Sequence, residues 1–548
     1  MHSGTRGPFR SGLRRAAATS SLARATGAPL DEAAAMVACA RVDRRTFLKG
    51  AAAAGALVAA PLTGPGGAGA ATGSAPHPRV VIVGAGLAGL RCAHELWVGR
   101  GIPSTIYEWD DHAGGRVLTF RDVFANGQII EEHGEFISSE HRSMLQLAQR
   151  FGLQIENTDS FPTGAEDTFW VGGHRYTQSA LDADWHAFGW SLFRRLVAGN
   201  RIVAGYQHPS PEAVHLDHLS VTEFLATRVP GGASTDFAKL CALDATGEYG
   251  GPPDEQSALN LVGILGWNTS AANGLQNNGS PLLAGTDEKW HVKGGNDQIV
   301  TGLLSELPAG TLQIGHRLVA LRSDGANATC TFDAGGSPLD VAADHVVLAL
   351  PFTKLREVDL RRARLSPLKH SAIAHLELGT NAKVALQVAG DPWGANRYTG
   401  NMFADNGAVG GWSITNYQPG PTSIFLDYPG GDAGASLASR YGLTLDHGMP
   451  PANLVRDQLA GLEPVFPGLT AAWEAGPKIG WYADGKLDEH LGGSYSYYRV
   501  GQSTGFGGIE STAEGNLHFA GEHTSTAYQG FMEGAVTSGV RAAREIPS

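Results

Sequence analysis

Three glycines, one acid and one lysine are the residues of this chain best placed to do chemistry. Gly84, Gly86 and Gly89 punctuate Val81-Ile82-Val83-Gly84-Ala85-Gly86-Leu87-Ala88-Gly89, and Glu108 ends the run Ser104-Thr105-Ile106-Tyr107-Glu108. At this spacing Gly84 permits a tight turn, Gly86 lets backbone approach a pyrophosphate, and Gly89 lets a helix pack closely on a strand. Phosphates can then rest on the unpaired N–H groups of the helix N-terminus. Glu108 is placed to accept both ribose hydroxyls of a dinucleotide. Lys383, in Gly379-Thr380-Asn381-Ala382-Lys383-Val384, is a different kind of candidate, because an ammonium among small and apolar strand residues is costly to bury without a partner. The histidines are scattered and form no Ser/His/Asp triad. The four cysteines, Cys39, Cys92, Cys241 and Cys330, lack metal-ligand spacing, so no metal is expected.

These residues require particular elements around them. The β-branched run before Gly84 reads as a buried strand, Leu90 to Leu96 as a helix, and Ser104–Tyr107 as a second strand, the order of a nucleotide-binding βαβ unit. An amphipathic helix follows from His141 to Phe151. Further pieces are a strand around Arg317-Leu318-Val319-Ala320, a hydrophobic strand in Asp344–Pro351, and a helix from Tyr528 to Ile546. The fold class expected is α/β: a Rossmann-like nucleotide-binding domain assembled from segments 78–159, 289–352 and 481–548. An α+β substrate domain is inserted as 160–288 and 353–480, where Lys383–Val388 and Ser423–Leu426 read as strands and Ala452–Leu462 as a helix.

Charge narrows the partners. The chain carries net −12 over 548 residues, yet residues 1–71 hold nine basic and three acidic side chains, leaving the remainder at −18. Nucleic acid and anionic membrane surfaces are poor partners for such a body. Within residues 1–71, Arg44-Arg45-Thr46-Phe47-Leu48-Lys49 matches a twin-arginine export signal, with a short apolar run from Gly50 to Leu62 and a small-residue cleavage site at Ala68-Gly69-Ala70. Asp43 departs from the usual Ser or Thr. Met36 would give a start of ordinary length, which marks residues 1–35 as an over-extended start. The expected location is periplasmic or extracellular, with no membrane span, since the apolar run is too short to cross a bilayer.

The stretch from Val80 to Arg116, ending Trp109-Asp110-Asp111-His112-Ala113-Gly114-Gly115-Arg116, resembles the FAD-binding signature of the flavin amine oxidase family of monoamine, polyamine and L-amino acid oxidases. Phe519-Ala520-Gly521-Glu522-His523-Thr524, followed by Gly530-Phe531-Met532-Glu533-Gly534-Ala535, resembles the family's C-terminal signature. The resemblance implies FAD held by Gly84, Gly86, Gly89, Glu108, Gly115, Arg116, Gly134, Glu135, Val319, Gly521, Glu522, Phe531 and Met532. It also implies a lysine, Lys383, holding a water beside the flavin, and an aromatic pair, Tyr495 and Phe531, caging an amine. Ser494 stands where covalently flavinylated members carry cysteine, so FAD is expected to be non-covalent. Ile137 falls where L-amino acid oxidases carry a carboxylate-binding arginine, with Arg142 one turn further on, which leans toward a simple amine.

The function expected is a secreted FAD-dependent amine oxidase that converts a small-molecule amine to an imine and then an aldehyde, passing electrons to O2 to give hydrogen peroxide. Lys383, Tyr495 and Phe531 are its expected catalytic residues, and a homodimer is compatible with the chain. Alternatives are an L-amino acid oxidase, a flavin desaturase or dehydrogenase of the carotenoid or porphyrinogen type, and a flavin-binding protein without turnover.

Overall fold

A computed structural model describes residues 77–161, 164–198, 202–268, 283 and 286–547. The twin-arginine signal, its cleavage site and Cys39 lie outside the described residues. A five-stranded parallel sheet is ordered Leu517–Phe519, His345–Leu348, Val80–Val83, Ser104–Tyr107, Leu312–Gln313. Its central strand, Val80–Val83, is buried throughout, because helices and a second layer cover both faces. Side chains alternate between two cores. Val80 and Ile82 pack with Leu90, Leu96, Ile106 and Val536, while Val81 and Val83 pack with Phe332, Leu355 and Phe519. Cys92, Cys241 and Cys330 are buried free thiols, and burial pushes the Cys330 thiol up to about 12.

The last helix, Met532–Glu545, ties the end of the chain to its beginning. The helix Arg142–Arg150 has no side-chain cap of its own. Instead the Ser143 and Met144 N–H groups donate to the two oxygens of Glu533 at 2.9 Å each. A carboxylate on the open donors of a helix start contributes about 1 kcal/mol.

A second body is built on an eight-stranded sheet, ordered His447–Gly448, Ile479–Asp484, Ala382–Ala389, Thr422–Tyr428, Gly410–Ser413, Tyr398–Ala404, Glu166–Val171, His174–Tyr176. Two of these strands precede residue 180 and the other six follow residue 380. Helices cover it, among them Asp236–Tyr249, started by the Thr235 hydroxyl accepting from Ala238 N–H, and Val221–Arg228, started by a reciprocal Ser220–Glu223 capping box. No helix among the described residues is long and apolar enough to cross a membrane.

Candidate active site

The glycine loop leaves the central strand at the carboxyl edge of the parallel sheet, where ligands of open α/β sheets bind. Gly84 has φ +103°, a conformation glycine adopts without strain, and a Cβ at Gly89 would stand 2.0 Å from the Gly84 carbonyl oxygen. Glycine is therefore required at both positions by the protein itself. At Gly86 the nearest atom to an added Cβ is 3.9 Å away, so the space there is open toward a ligand. Glu108 sits at the end of the neighbouring strand with its carboxylate held by the Ala85 N–H at 2.6 Å and the Asp110 N–H at 2.9 Å.

Arg116 and Glu522 join the first and last segments. Arg116 Nη1 donates to Glu522 Oε1 and to the Ser494 carbonyl, each at 2.8 Å. Glu522 is buried and also accepts from the Ser496 hydroxyl at 2.7 Å and the Gly530 N–H at 2.8 Å. Burial alone would raise its pKa. The charge of Arg116 and these hydrogen bonds outweigh it and hold the carboxyl below the ordinary range.

Lys383 is 3% exposed in the strand Ala382–Ala389. Its Nζ donates to Glu135 Oε2 at 2.7 Å and to the Glu131 carbonyl at 3.0 Å. Glu135 Oε1 accepts from the Tyr417 hydroxyl at 2.6 Å and the Trp412 indole at 2.9 Å. Burial would raise the Glu135 pKa, and Lys383 together with these donors depresses it instead. The backbone of Gly134 and Glu135 is fixed in turn by Asn296, whose amide donates to both carbonyls at 3.1 and 2.7 Å. His291 is a structural link: Glu131 at 2.8 Å and Glu156 at 3.1 Å outweigh its burial and raise it to about 9.

One cavity of about 1340 Å³ connects these parts. Gly84, Gly86, Glu108, Gly115, Arg116, Gly521 and Glu522 line it. Gly134, Glu135, Lys383, Tyr495, Phe531 and Met532 line it as well, as do Phe169, Trp185, Trp190, Phe403, Asp244, Glu248 and Glu288. The Tyr495 hydroxyl donates to the Gly247 carbonyl at 2.9 Å and meets the Tyr428 hydroxyl at 3.1 Å. Phe531 is the N-cap residue of the last helix, so that helix presents its start to the cavity. Glu288 and Glu248 are both raised, by burial first and then by neighbouring carboxylates.

The family model for flavin-containing amine oxidoreductases matches residues 87–547. The chain belongs to that family. A flavin-containing amine oxidase of Danio rerio is 24% identical over 488 residues, covering 85% of each chain. Pseudooxynicotine dehydrogenase of a Pseudomonas species is 22% identical over 471 residues, covering 85% of this chain and 86% of its own. Among solved structures, putrescine oxidase bound to putrescine superposes with a TM-score of 0.69 at 21% identity, covering 86% of this chain and 99% of that one. Cyclohexylamine oxidase from Brevibacterium oxydans gives 0.66 at 21%, covering 86% and 99%. A twin-arginine signal model matches residues 41–61, which marks the protein for export by that route to the periplasm or beyond.

This amine oxidoreductase has a cavity that fits a flavin nucleotide. The fit shows in the open space at Gly86, in the fixed carboxylate of Glu108, and in the buried His523, which lines the cavity with neither ring nitrogen hydrogen-bonded. When bound, FAD supplies the two-electron acceptor for the amine.

Of the residues singled out from the sequence, Gly89 and Val319 do not line the cavity. Gly89 serves helix–strand packing, as its spacing implied. Val319 sits where the strand pairing shifts between Leu318 and Ala320, with its side chain outward and 36% exposed, while the neighbouring Arg317 and Leu318 line the cavity. Glu135 and Glu522 line the cavity with carboxylates already occupied by protein donors. Arg142 is exposed and Ile137 is buried, and neither reaches the cavity. Trp412, Tyr417, Tyr428, Asp244, Glu248 and Glu288 escaped sequence reasoning, because single aromatics and acids in strands and helices carry no spacing signal.

Proposed function

We propose that the enzyme oxidises a primary or secondary amine to an imine, which hydrolyses to an aldehyde, with O2 reduced to hydrogen peroxide, and that it holds FAD non-covalently. One observation carries the choice of amine over amino acid: among the described residues, the only arginines lining the cavity are Arg116 and Arg317. Arg116 is bound to Glu522, and Arg317 lies 4.3 Å over the Trp109 ring and pairs with Glu357. Neither offers a free fork to a substrate carboxylate, and the aromatic rings Phe169, Trp185, Trp190 and Phe403 that line the same cavity instead favour an amine.

The chain's residues divide the work. Tyr495 and Phe531 supply flat apolar faces that orient the amine. Lys383, with two of its protons engaged by Glu135 and the Glu131 carbonyl, has its third free to hold a water or oxygen species at the cavity surface. The buried wall excludes bulk water, which protects an imine until release. Ser494 supports non-covalent binding, since its hydroxyl donates to Asn381 at 2.9 Å and offers no thiol for attachment.

The test is anaerobic mixing of the purified yellow protein with panels of amines and amino acids. Bleaching by an amine, with hydrogen peroxide formed on re-aeration, is the expected result. Bleaching by amino acids alone would overturn the reading, and flavin that survives denaturation and filtration on the protein would overturn non-covalent binding.

A further inference from the structure

His523 is 3% exposed, lines the cavity, and has no hydrogen-bond partner on either Nδ1 or Nε2. Its ring is held rather than loose. It packs edge-on to Phe352 with centroids 4.5 Å apart and lies over Gly521, where a Cβ would stand 2.4 Å from its Cε1. Burial first, then the charges of Arg116, Lys369 and Arg541 against that of Glu522, lowers it to about 4, so the ring is neutral at physiological pH. A neutral imidazole has one donor and one acceptor, and leaving both unmade in a buried site is costly. Buried polar groups of this kind are normally satisfied, which points to a partner entering from the cavity.

The strand order says which part of the nucleotide that partner is. Glu108 follows the strand on one side of central Val80–Val83. His523 follows Leu517–Phe519, two positions away on the other side. A dinucleotide with its pyrophosphate on the Gly84–Gly89 loop and its adenosine ribose at Glu108 runs its other half past His523.

We infer that His523 is a cofactor-binding residue whose ring N–H donates to an oxygen of the ribityl–pyrophosphate stretch of FAD. This rests on the reading that FAD occupies the cavity in that orientation. Gly521 is then the residue that lets the ring lie at this wall, and Glu522 beside it holds Arg116 for the same stretch.

The experiment compares FAD release on dilution of the holoenzyme, read as free-flavin fluorescence, for wild type, His523→Leu, His523→Ala and His523→Asn. The leucine and alanine variants are expected to weaken FAD binding about ten-fold, the equivalent of ~1.4 kcal/mol. Asparagine, which restores a donor and an acceptor, is expected to recover most of it. Wild-type retention in the leucine or alanine variant overturns the inference, as does failure of both apolar variants to fold, which would make the ring structural. Wild-type protein that neither carries nor takes up FAD overturns the underlying reading instead.

Discussion

Lys383 and Glu135 form a buried ion pair, Nζ to Oε2 at 2.7 Å, between side chains each 3% exposed and 248 residues apart in the chain. Each oxygen of Glu135 is occupied, while the lysine keeps one proton unclaimed by protein. Breaking such a pair from one side leaves a charge stranded in low dielectric and costs about 3–5 kcal/mol. Glu135→Gln and Lys383→Met should therefore each destabilise the protein by that order. The double variant should lose less than the sum, and chemical denaturation as a double-mutant cycle measures the difference. In the same series Lys383→Met should keep its flavin but slow turnover or flavin reoxidation; unchanged stopped-flow kinetics would remove the lysine from the reaction.

Arg116 and Glu522 are the clamp between the two ends of the chain, 406 residues apart. Glu522→Gln removes the countercharge of a half-buried guanidinium and weakens the acceptor for Ser496 and Gly530. Loss of flavin during gel filtration, with a stability loss of about 2–4 kcal/mol, is expected. Full flavin occupancy in the variant would show that Arg116 is positioned by Ser494 alone.

Two neighbouring glycines should fail in different ways. Gly89→Ala puts a methyl against the Gly84 carbonyl and should destabilise the fold itself, by more than about 3 kcal/mol. Gly86→Ala meets nothing closer than 3.9 Å within the protein. It should fold with a near wild-type melting midpoint and yet bind FAD poorly. Equal melting losses in both would show that Gly86 is also a packing glycine.

Asp427 carries a pH-dependent instability. It is 8% exposed, and its Oδ1 has no partner. Burial raises its carboxyl to about 7, against the lowering effect of the Tyr428 N–H. The folded state thus holds the proton that the unfolded chain releases near ~3.9. Stability falls as pH rises from about 4 to about 7, and the penalty is constant above that. Asp427→Asn should stabilise the protein at pH 8 by on the order of 2 kcal/mol and bring little at pH 4. Urea midpoints at the two pH values test this, and an equal shift at both would place the origin elsewhere.

Elements with a strong local pattern were legible. The strand expected at Lys383–Val388 is found at Ala382–Ala389, and the helix expected at Ala452–Leu462 has those bounds. The last helix begins at Met532 rather than Tyr528, because Gly530 takes φ +89° and breaks the turn ahead of it. Val319, a cofactor contact that the resemblance implied, lies at a shift in strand pairing with its side chain outward, and a family signature does not report which way a side chain turns at such a site.

By itself the sequence determined the nucleotide loop, the acid at Glu108 and the amine oxidoreductase signatures, because each is a short-range requirement: a φ angle, a close approach, a charge at a fixed offset. The tertiary structure alone decided that Lys383 is buried against Glu135, that Glu522 is an interior anchor for Arg116, and that His523 faces the cavity unpaired. Such facts depend on contacts across hundreds of residues, and a charge or imidazole takes its role from the side chains that surround it, which the spacing of residues along one chain does not record.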